Sequence, residues 1–546
     1  MVWIILCLCE FLLILYALLT RKRTSLPLDR PEFQNAAGSL DVILLLISAD
    51  LSRIIYSTPG FSAVLGRPAS AVRVSDLLEL VHEDDWDSVD TALKSGVTQE
   101  FQIEFRIRNN SEPSWIRMKG FPIAGIFSKR IALIVEDISK RKQDELQLVK
   151  ARDYEVSVGA RIQRALLLGT PEYAYEDIDL EMMSIPSQQI DGDFYDFYDS
   201  SDDQLDVIIG DVMGKGVPAA LTGAATKNAF LRARMDIADE KGKGGLRLTD
   251  ILGKAESMLT EHLIEIGTFV TLVYGRIDTG KSLFRYIDCG HTSVIHYEAS
   301  TGTCWRMKGA NMPVGFTRTQ EYREYAVPLA NNDILFLFSD GISEAVNSEG
   351  DMFTEERLMK LIKSNSGLDA SALLETIKKI TFEYSAGQFR DDVTGISVKM
   401  RKRIKNRRFS AKEFKFDLSS LRDAREFFSG CLEEIPSIQL SEERRNAVGI
   451  AVGEAVANVL KHNKTDIGTA YTASFSGTDS WIYCAVYYPG IDFDWQDSEM
   501  PDPLEYRTGG YGLSLMKETM DSVTVSLGDD GIVKLGMLYE FPSGEE

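Results

Sequence analysis

The hydrophobic pattern changes character four times along the chain. It opens with an almost unbroken apolar stretch, Val2 to Thr20, whose sole charge is Glu10 and which Arg21-Lys22-Arg23 follows. A helix of that length just crosses a bilayer core, and a basic cluster after the span keeps the rest of the chain on the cytoplasmic side. No basic start or small-residue cleavage site marks it as a signal peptide. The pattern therefore predicts a single-pass anchor at 1–23 in the inner/cytoplasmic membrane, with soluble domains in the cytoplasm and Glu10 accommodated on a helix face or by a partner helix. From Asp41 to Asp137 short apolar runs alternate with polar turns. Val42-Ile43-Leu44-Leu45-Leu46-Ile47, Arg53 to Ser57, Phe101 to Arg106, Trp115 to Arg117 and Ile131 to Val135 read as strands, and His82-Glu83-Asp84-Asp85 precedes a short helix.

The closing Glu136-Asp137-Ile138-Ser139-Lys140-Arg141-Lys142, with His82 to Asp85 and Glu104 to Arg106, resembles PAS sensor domains over about 100 residues, here 38–140. No residue in it fixes a haem, flavin or other ligand. Between Arg141 and Leu168 proline is absent and helix formers dominate. Leu146, Val149, Asp153, Val156, Ala160, Gln163 and Leu167 follow 3-4 spacing, an imperfect coiled-coil seam. The stretch 141–172 reads as a dimerising signalling helix or as a plain amphipathic linker.

Composition narrows the classes. At 546 residues the chain is too long for one core, so it is multidomain. With 44% apolar and 26% charged residues it is globular, and a net charge of −22 argues against general nucleic-acid binding. Six cysteines at no metal-ligand spacing suggest a reducing compartment.

Four aspartates in short motifs carry the chemistry: Asp193 in Gly192-Asp193-Phe194-Tyr195-Asp196, Asp211 in Asp211-Val212-Met213-Gly214-Lys215-Gly216, Asp340 in Ser339-Asp340-Gly341, and Asp391 in Asp391-Asp392-Val393-Thr394. Hard divalent cations prefer such oxygen ligands, and two of them clamp a phosphate and activate water. With Ala160 to Leu167, Pro218-Ala219-Ala220-Leu221 and Gly290-His291, these motifs resemble the PPM-type metal-dependent serine/threonine phosphatases, SpoIIE branch, across 173–400. The resemblance implies an αββα sandwich with two Mn²⁺ or Mg²⁺ ions. Asp211 would bridge them, with Asp193 on one side, Asp340 and Asp391 on the other, and the Val212 carbonyl as a main-chain ligand. Asp196, Glu344 and Asp392 would support or hold water, and glycines 192, 214, 216 and 341 would spare collisions beside the ions. His291 is a candidate general acid or a structural residue. Asp191 and Thr354 depart from the pattern, the second far from the expected ions.

A basic run, 401–408, reads as a linker. From 409 to 546 the order strand, helix, long helix, strands, glycine loop, helix, strands places Glu454 and Asn458 on one helix face. Gly509-Gly510-Tyr511-Gly512 suits phosphate. This resembles the GHKL ATPases, an α/β sandwich, in the anti-sigma-factor serine-kinase branch. The resemblance makes Glu454 the general base, Asn458 the Mg²⁺ ligand, Gly490 part of the adenine pocket, and Gly509, Gly510 and Gly512 the lid over Mg-ATP. Tyr488 stands where that family has its adenine-binding aspartate, and Gly531-Ile532 replaces its usual Gly-Thr, so the domain reads as degenerate or as a partner-docking module.

The whole is multidomain α+β: anchor, PAS-like sensor, helical linker, phosphatase and GHKL domain. The expected activity is a membrane-anchored, signal-regulated protein phosphatase. Its expected substrate is a phosphorylated STAS-type anti-sigma-factor antagonist, and its expected state a homodimer. A sensor histidine kinase is the alternative, but no histidine lies between His82 and His262 to accept phosphate. A non-catalytic scaffold would leave the four aspartates unexplained.

Overall fold

The computed structural model describes residues 42–58, 61, 72–108, 114–124, 129–166, 176–187, 192–201, 203–241, 246–401, 409–416, 421–436, 439–462, 471–490 and 511–541. The expected anchor at 1–23, Asp191, Gly509, Gly510 and residues 402–408 lie outside them. Among the described residues no helix is long and apolar enough to cross a membrane. The chain divides into two compact units, 1–154 and 155–546.

The first unit is built on five antiparallel strands: β1 (Val42–Ser48), β2 (Ile54–Ser57), β3 (Phe101–Ile107), β4 (Ser114–Ala124) and β5 (Lys129–Asp137). They lie in the order β2-β1-β5-β4-β3. Helices α1 (Val74–Leu78) and α2 (Trp86–Ser95) pack on the sheet through Val74, Val89 and Leu93 against Ile47, Phe105 and Ile131. Between them lies a cavity of about 120 Å³ with an apolar lining that includes Leu45, Val81 and Met118. The charged texture of the sequence becomes two ties. Arg106 Nη2 lies 2.9 Å from Asp85 Oδ1, and Glu104 meets Arg141 and Lys142 at 2.8 Å each, fixing the start of helix α3 (Ser139–Leu166) on the sheet. On α3 the seam positions Leu146 and Val149 are exposed.

The second unit begins with two facing sheets. One holds β7 (Asp193–Ser201), β8 (Gln204–Val212), β9 (Val270–Asp278), β10 (Leu283–Cys289) and β13 (Tyr325–Pro328), in the order β13-β10-β9-β8-β7. The other contains β6 (Ile178–Ile185), β11 (Val294–Glu298), β12 (Thr303–Met307), β14 (Ile334–Phe338) and β15 (Val393–Met400), in the order β12-β11-β14-β15-β6. Near-continuous apolar runs such as Ile334–Phe338 are buried on both faces, as inner strands of a layered sandwich must be. Ile209, Val273 and Phe284 of one sheet meet Leu335, Leu337 and Val398 of the other. Helices α4 (Val217–Lys241) and α5 (Leu248–Glu265) cover the first sheet. The one-turn helix α6 (Asp340–Ser343) follows β14, and α7 (Glu355–Ser364) and α8 (Ala370–Tyr384) cover the second sheet. This is the αββα arrangement the motifs imply.

The remaining strands, β16 (Phe409–Phe416), β17 (Tyr471–Gly477), β18 (Trp481–Pro489), β19 (Ser522–Gly528) and β20 (Ile532–Glu540), run in the order β16-β17-β18-β20-β19. Helices α9 (Leu421–Glu433), α10 (Glu442–His462) and α11 (Tyr511–Thr519) share one core with them. The sequence suggests two modules on a linker, but the structure joins their sheets. Strand β19 pairs antiparallel with β12, Trp305 opposite Gly528, which makes one ten-stranded sheet. Leu283 and Ala326 pack with Trp481, Tyr483 and Leu538 across the same boundary. The Trp481 indole N–H donates to the Lys281 carbonyl at 2.7 Å, and Lys534 Nζ lies 3.2 Å from Glu298 Oε2.

Candidate active site

Strand pairing assembles the first half of the site. Asp193 starts β7 and Asp211 nearly ends β8, and their antiparallel register sets the two opposite each other. The second half comes from the neighbouring ends of β14 and β15. Asp340 opens α6 directly after β14, and Asp391 lies in the turn before β15. Ser339 holds these two ends together: its Oγ donates to the Asp392 carbonyl at 3.2 Å and accepts from the Thr394 N–H at 2.9 Å.

The electrostatics show that the aspartates converge. Burial, and then the carboxylates of Asp340, Asp391 and Asp392, push Asp211 up to about 7. Asp340 is raised as well, by burial and then by Glu344 and Asp391. Like charges gathered in a half-buried pocket are unfavourable without a cation. Among the described residues no group of three or more His, Cys, Asp or Glu is by itself arranged to hold an ion. One cation does answer the cluster: Lys215 Nζ lies 2.8 Å from Asp391 Oδ2. The donor set is all carboxylate oxygen and over-charged, which fits Mg²⁺ or Mn²⁺ and suits no softer ion.

Several expected roles change. Asp392 accepts from Ser187 N at 2.7 Å, Ser187 Oγ at 2.9 Å and Gly192 N at 2.8 Å, so it ties the turn after β6 to the start of β7. Asp196 is paired with Lys227 of α4, whose Nζ stands 3.4 Å from it. A Cβ on Gly341 would come within 2.0 Å of the Asp392 carbonyl, so collision does explain that glycine. Gly214 and Gly216 have nothing within 4 Å; their φ of +112° and +82° is the reason instead. At Gly192 a Cβ would make only ordinary contacts, none closer than 3.5 Å.

His291 is held from both ends: its N–H donates to Asp288 Oδ1 at 3.0 Å, and Nδ1 lies 3.1 Å from Thr271 Oγ1. Burial pushes it down to about 4, so the ring is neutral near pH 7 and lacks the proton a general acid would give. Thr271 pairs with Asp211 across β8 and β9, which makes His291 a support behind the site. Lys215, Ser187 and Thr271 were not singled out in the sequence. Lys215 was visible inside the Asp211 motif; the other two lie in unremarkable segments.

In the C-terminal domain Glu454 and Asn458 share α10, both partly exposed. Arg425 of α9 donates to the Gly453 carbonyl at 3.4 Å, beside Glu454. Tyr488 packs against the domain core next to Gly490. Gly512 lies in the first turn of α11 and not in a loop before it.

With this geometry in view, two family models match the chain. Residues 201–401 match stage II sporulation protein E (SpoIIE), and residues 414–535 match the histidine kinase-like ATPase domain. The chain carries a protein serine/threonine phosphatase domain. Curated relatives agree. The phosphoserine phosphatase RsbU of Bacillus subtilis is 27% identical over 240 residues, covering 44% of this chain and 68% of that protein. Protein IcfG of Synechocystis is 25% identical over 270 residues, covering 45% of this chain and 41% of its own length. Among solved structures, the SiaA PP2C domain of Pseudomonas aeruginosa is 21% identical with a TM-score of 0.39, covering 47% of this chain and 98% of that one. The RsbU and RsbW domains of a Mycobacterium tuberculosis protein are 17% identical with a TM-score of 0.36, covering 67% and 95%.

Proposed function

We propose that this chain is a membrane-anchored, signal-regulated, metal-dependent phosphatase that removes phosphate from serine or threonine of a STAS-type anti-sigma-factor antagonist. The observation that carries the reading is the convergence of Asp211, set opposite Asp193 by strand register, with Asp340 and Asp391, whose strand ends Ser339 ties together; burial and then these neighbouring carboxylates raise Asp211. Asp193, Asp211, Asp340 and Asp391, with the Val212 carbonyl, would hold two Mn²⁺ or Mg²⁺ ions. Such ions polarise a phosphoryl oxygen and lower the pKa of bound water. The chain's own residues do the rest. Asp392 fixes the approach of Gly192 to the cluster, Thr271 and neutral His291 hold β9 behind Asp211, and Gly341 lets α6 sit against the Asp392 carbonyl.

The relative named as a phosphoserine phosphatase supports the substrate class. The five-stranded first unit with its apolar cavity supports a PAS-like sensor. Leu146 and Val149, exposed on α3, support a homodimer. Tyr488, packed on the core where an adenine partner is expected, favours a docking role for the C-terminal domain over a kinase using Glu454, Asn458 and Mg-ATP. The deciding experiment is p-nitrophenyl phosphate hydrolysis by the full chain with Mn²⁺, beside Asp211→Asn. Metal-dependent turnover lost in the variant supports the reading; a folded chain without turnover defeats it.

A further inference from the structure

Lys215 sits on the loop after β8, between Gly214 and Gly216, and is about half exposed, at 55%. Its ammonium lies 2.8 Å from Asp391 Oδ2 and 3.3 Å from the Arg390 carbonyl, with Asp340 and Asp392 as the next charges around it. The loop is anchored at Met213, bonded to Phe269 and Thr268, while its two glycines have φ of +112° and +82° and, chain neighbours aside, nothing within 4 Å of where either Cβ would be. The lysine is tied to the site by a half-exposed ion pair and a long hydrogen bond to the Arg390 carbonyl, and such exposed pairs hold weakly against water. A divalent ion binding Asp391 would outbid a single ammonium for the same oxygen. The lysine would then be left, still charged, at the rim of a pocket that a phosphate dianion must enter. Aspartates crowd that pocket and the whole chain carries −22, so an ammonium at the rim would add to the pull of bound ions on an entering phosphate. An ammonium on a flexible stem suits a phosphate oxygen as a movable point charge.

We propose that Lys215 is an exchangeable counter-ion, which neutralises Asp391 in the cation-free chain and turns to the substrate phosphate once a divalent cation takes its place. The inference rests on the metal-dependent reading above. It assigns Lys215 two successive partners with a single charge, and so predicts that metal affinity and substrate affinity move in opposite directions when that charge is removed.

The test uses the full-length chain stripped of metal, with Lys215→Met and Lys215→Arg. Mn²⁺ is titrated by calorimetry, and KM and kcat for p-nitrophenyl phosphate are measured at saturating Mn²⁺. Lys215→Met is expected to bind Mn²⁺ about 3- to 10-fold more tightly, because its competitor is gone. Its KM is expected to rise about tenfold, with kcat changed less. Lys215→Arg keeps the charge and is expected to bring both values back toward the parent from those of Lys215→Met, short of full recovery because guanidinium and ammonium geometries differ. Unchanged Mn²⁺ affinity in Lys215→Met would overturn the exchange, leaving a fixed phosphate ligand, and unchanged KM would overturn it from the other side. A parent chain that takes up no Mn²⁺ would defeat the metal reading and this inference with it.

Discussion

Thr354 holds a backbone conformation that glycine alone adopts readily, with φ 69° and ψ 155°. The sequence placed it far from the ions, yet its N–H donates at 2.8 Å to the carbonyl of Ser343, the last residue of the helix that Asp340 opens. The strain is thus borne one helical turn from a site residue. Thr354→Gly is expected to raise stability by about 1 kcal/mol, after the entropy that glycine adds to the unfolded chain; a thermal melt that falls would contradict the strain. Gly341→Ala has the opposite sign. Its Cβ meets a backbone oxygen that cannot yield cheaply, so a loss of about 2 kcal/mol and weaker Mn²⁺ binding should appear together. The sequence anticipated a collision at Gly341 but not its partner, and carried no sign of the strain at Thr354, because φ and the Asp392 carbonyl's position are set by packing.

Among elements, the pairing of β12 with β19 has the widest effect. It brings Lys534 under Trp305 and beside Glu298, where burial would push the carboxyl up but the Lys534 ammonium, His296 and the Trp305 N–H together hold it down at about 2. A depressed carboxyl contributes stability above its unfolded value, near 4.5, and that stability is lost as pH falls toward 2. Denaturant melts across that window should therefore lose on the order of 2–3 kcal/mol in the parent, and the slope should flatten in Glu298→Gln. At neutral pH the same variant leaves Lys534 buried without its partner, at a cost of about 3 kcal/mol or more. A chain ending at Arg401 would expose Leu283 and Ala326, which the C-terminal strands now cover. Its phosphatase portion should melt several degrees lower; an unchanged melt would mean that the shared sheet adds nothing.

At the scale of the molecule, the C-terminal domain is continuous with the phosphatase and carries Tyr488 where its resemblance calls for an acidic group. Calorimetry with Mg-ATP on the full chain is expected to give no binding at millimolar nucleotide, and tight binding would restore Glu454 as a kinase base. The sequence by itself carried the alternation of strands and helices and the four aspartate motifs, whose family resemblance implied the αββα sandwich and the GHKL-like domain. Strand period, helix composition and Asp-Gly turns are local signals, and local signals survive without coordinates. The merging of two sheets through β12 and β19, the pairing of Lys215 with Asp391, the clamp made by Asp392 and the neutral state of His291 were decided by tertiary structure alone. Each depends on groups distant in sequence, more than 200 residues apart in the sheet pairing, meeting in space, and neither spacing nor composition records that meeting.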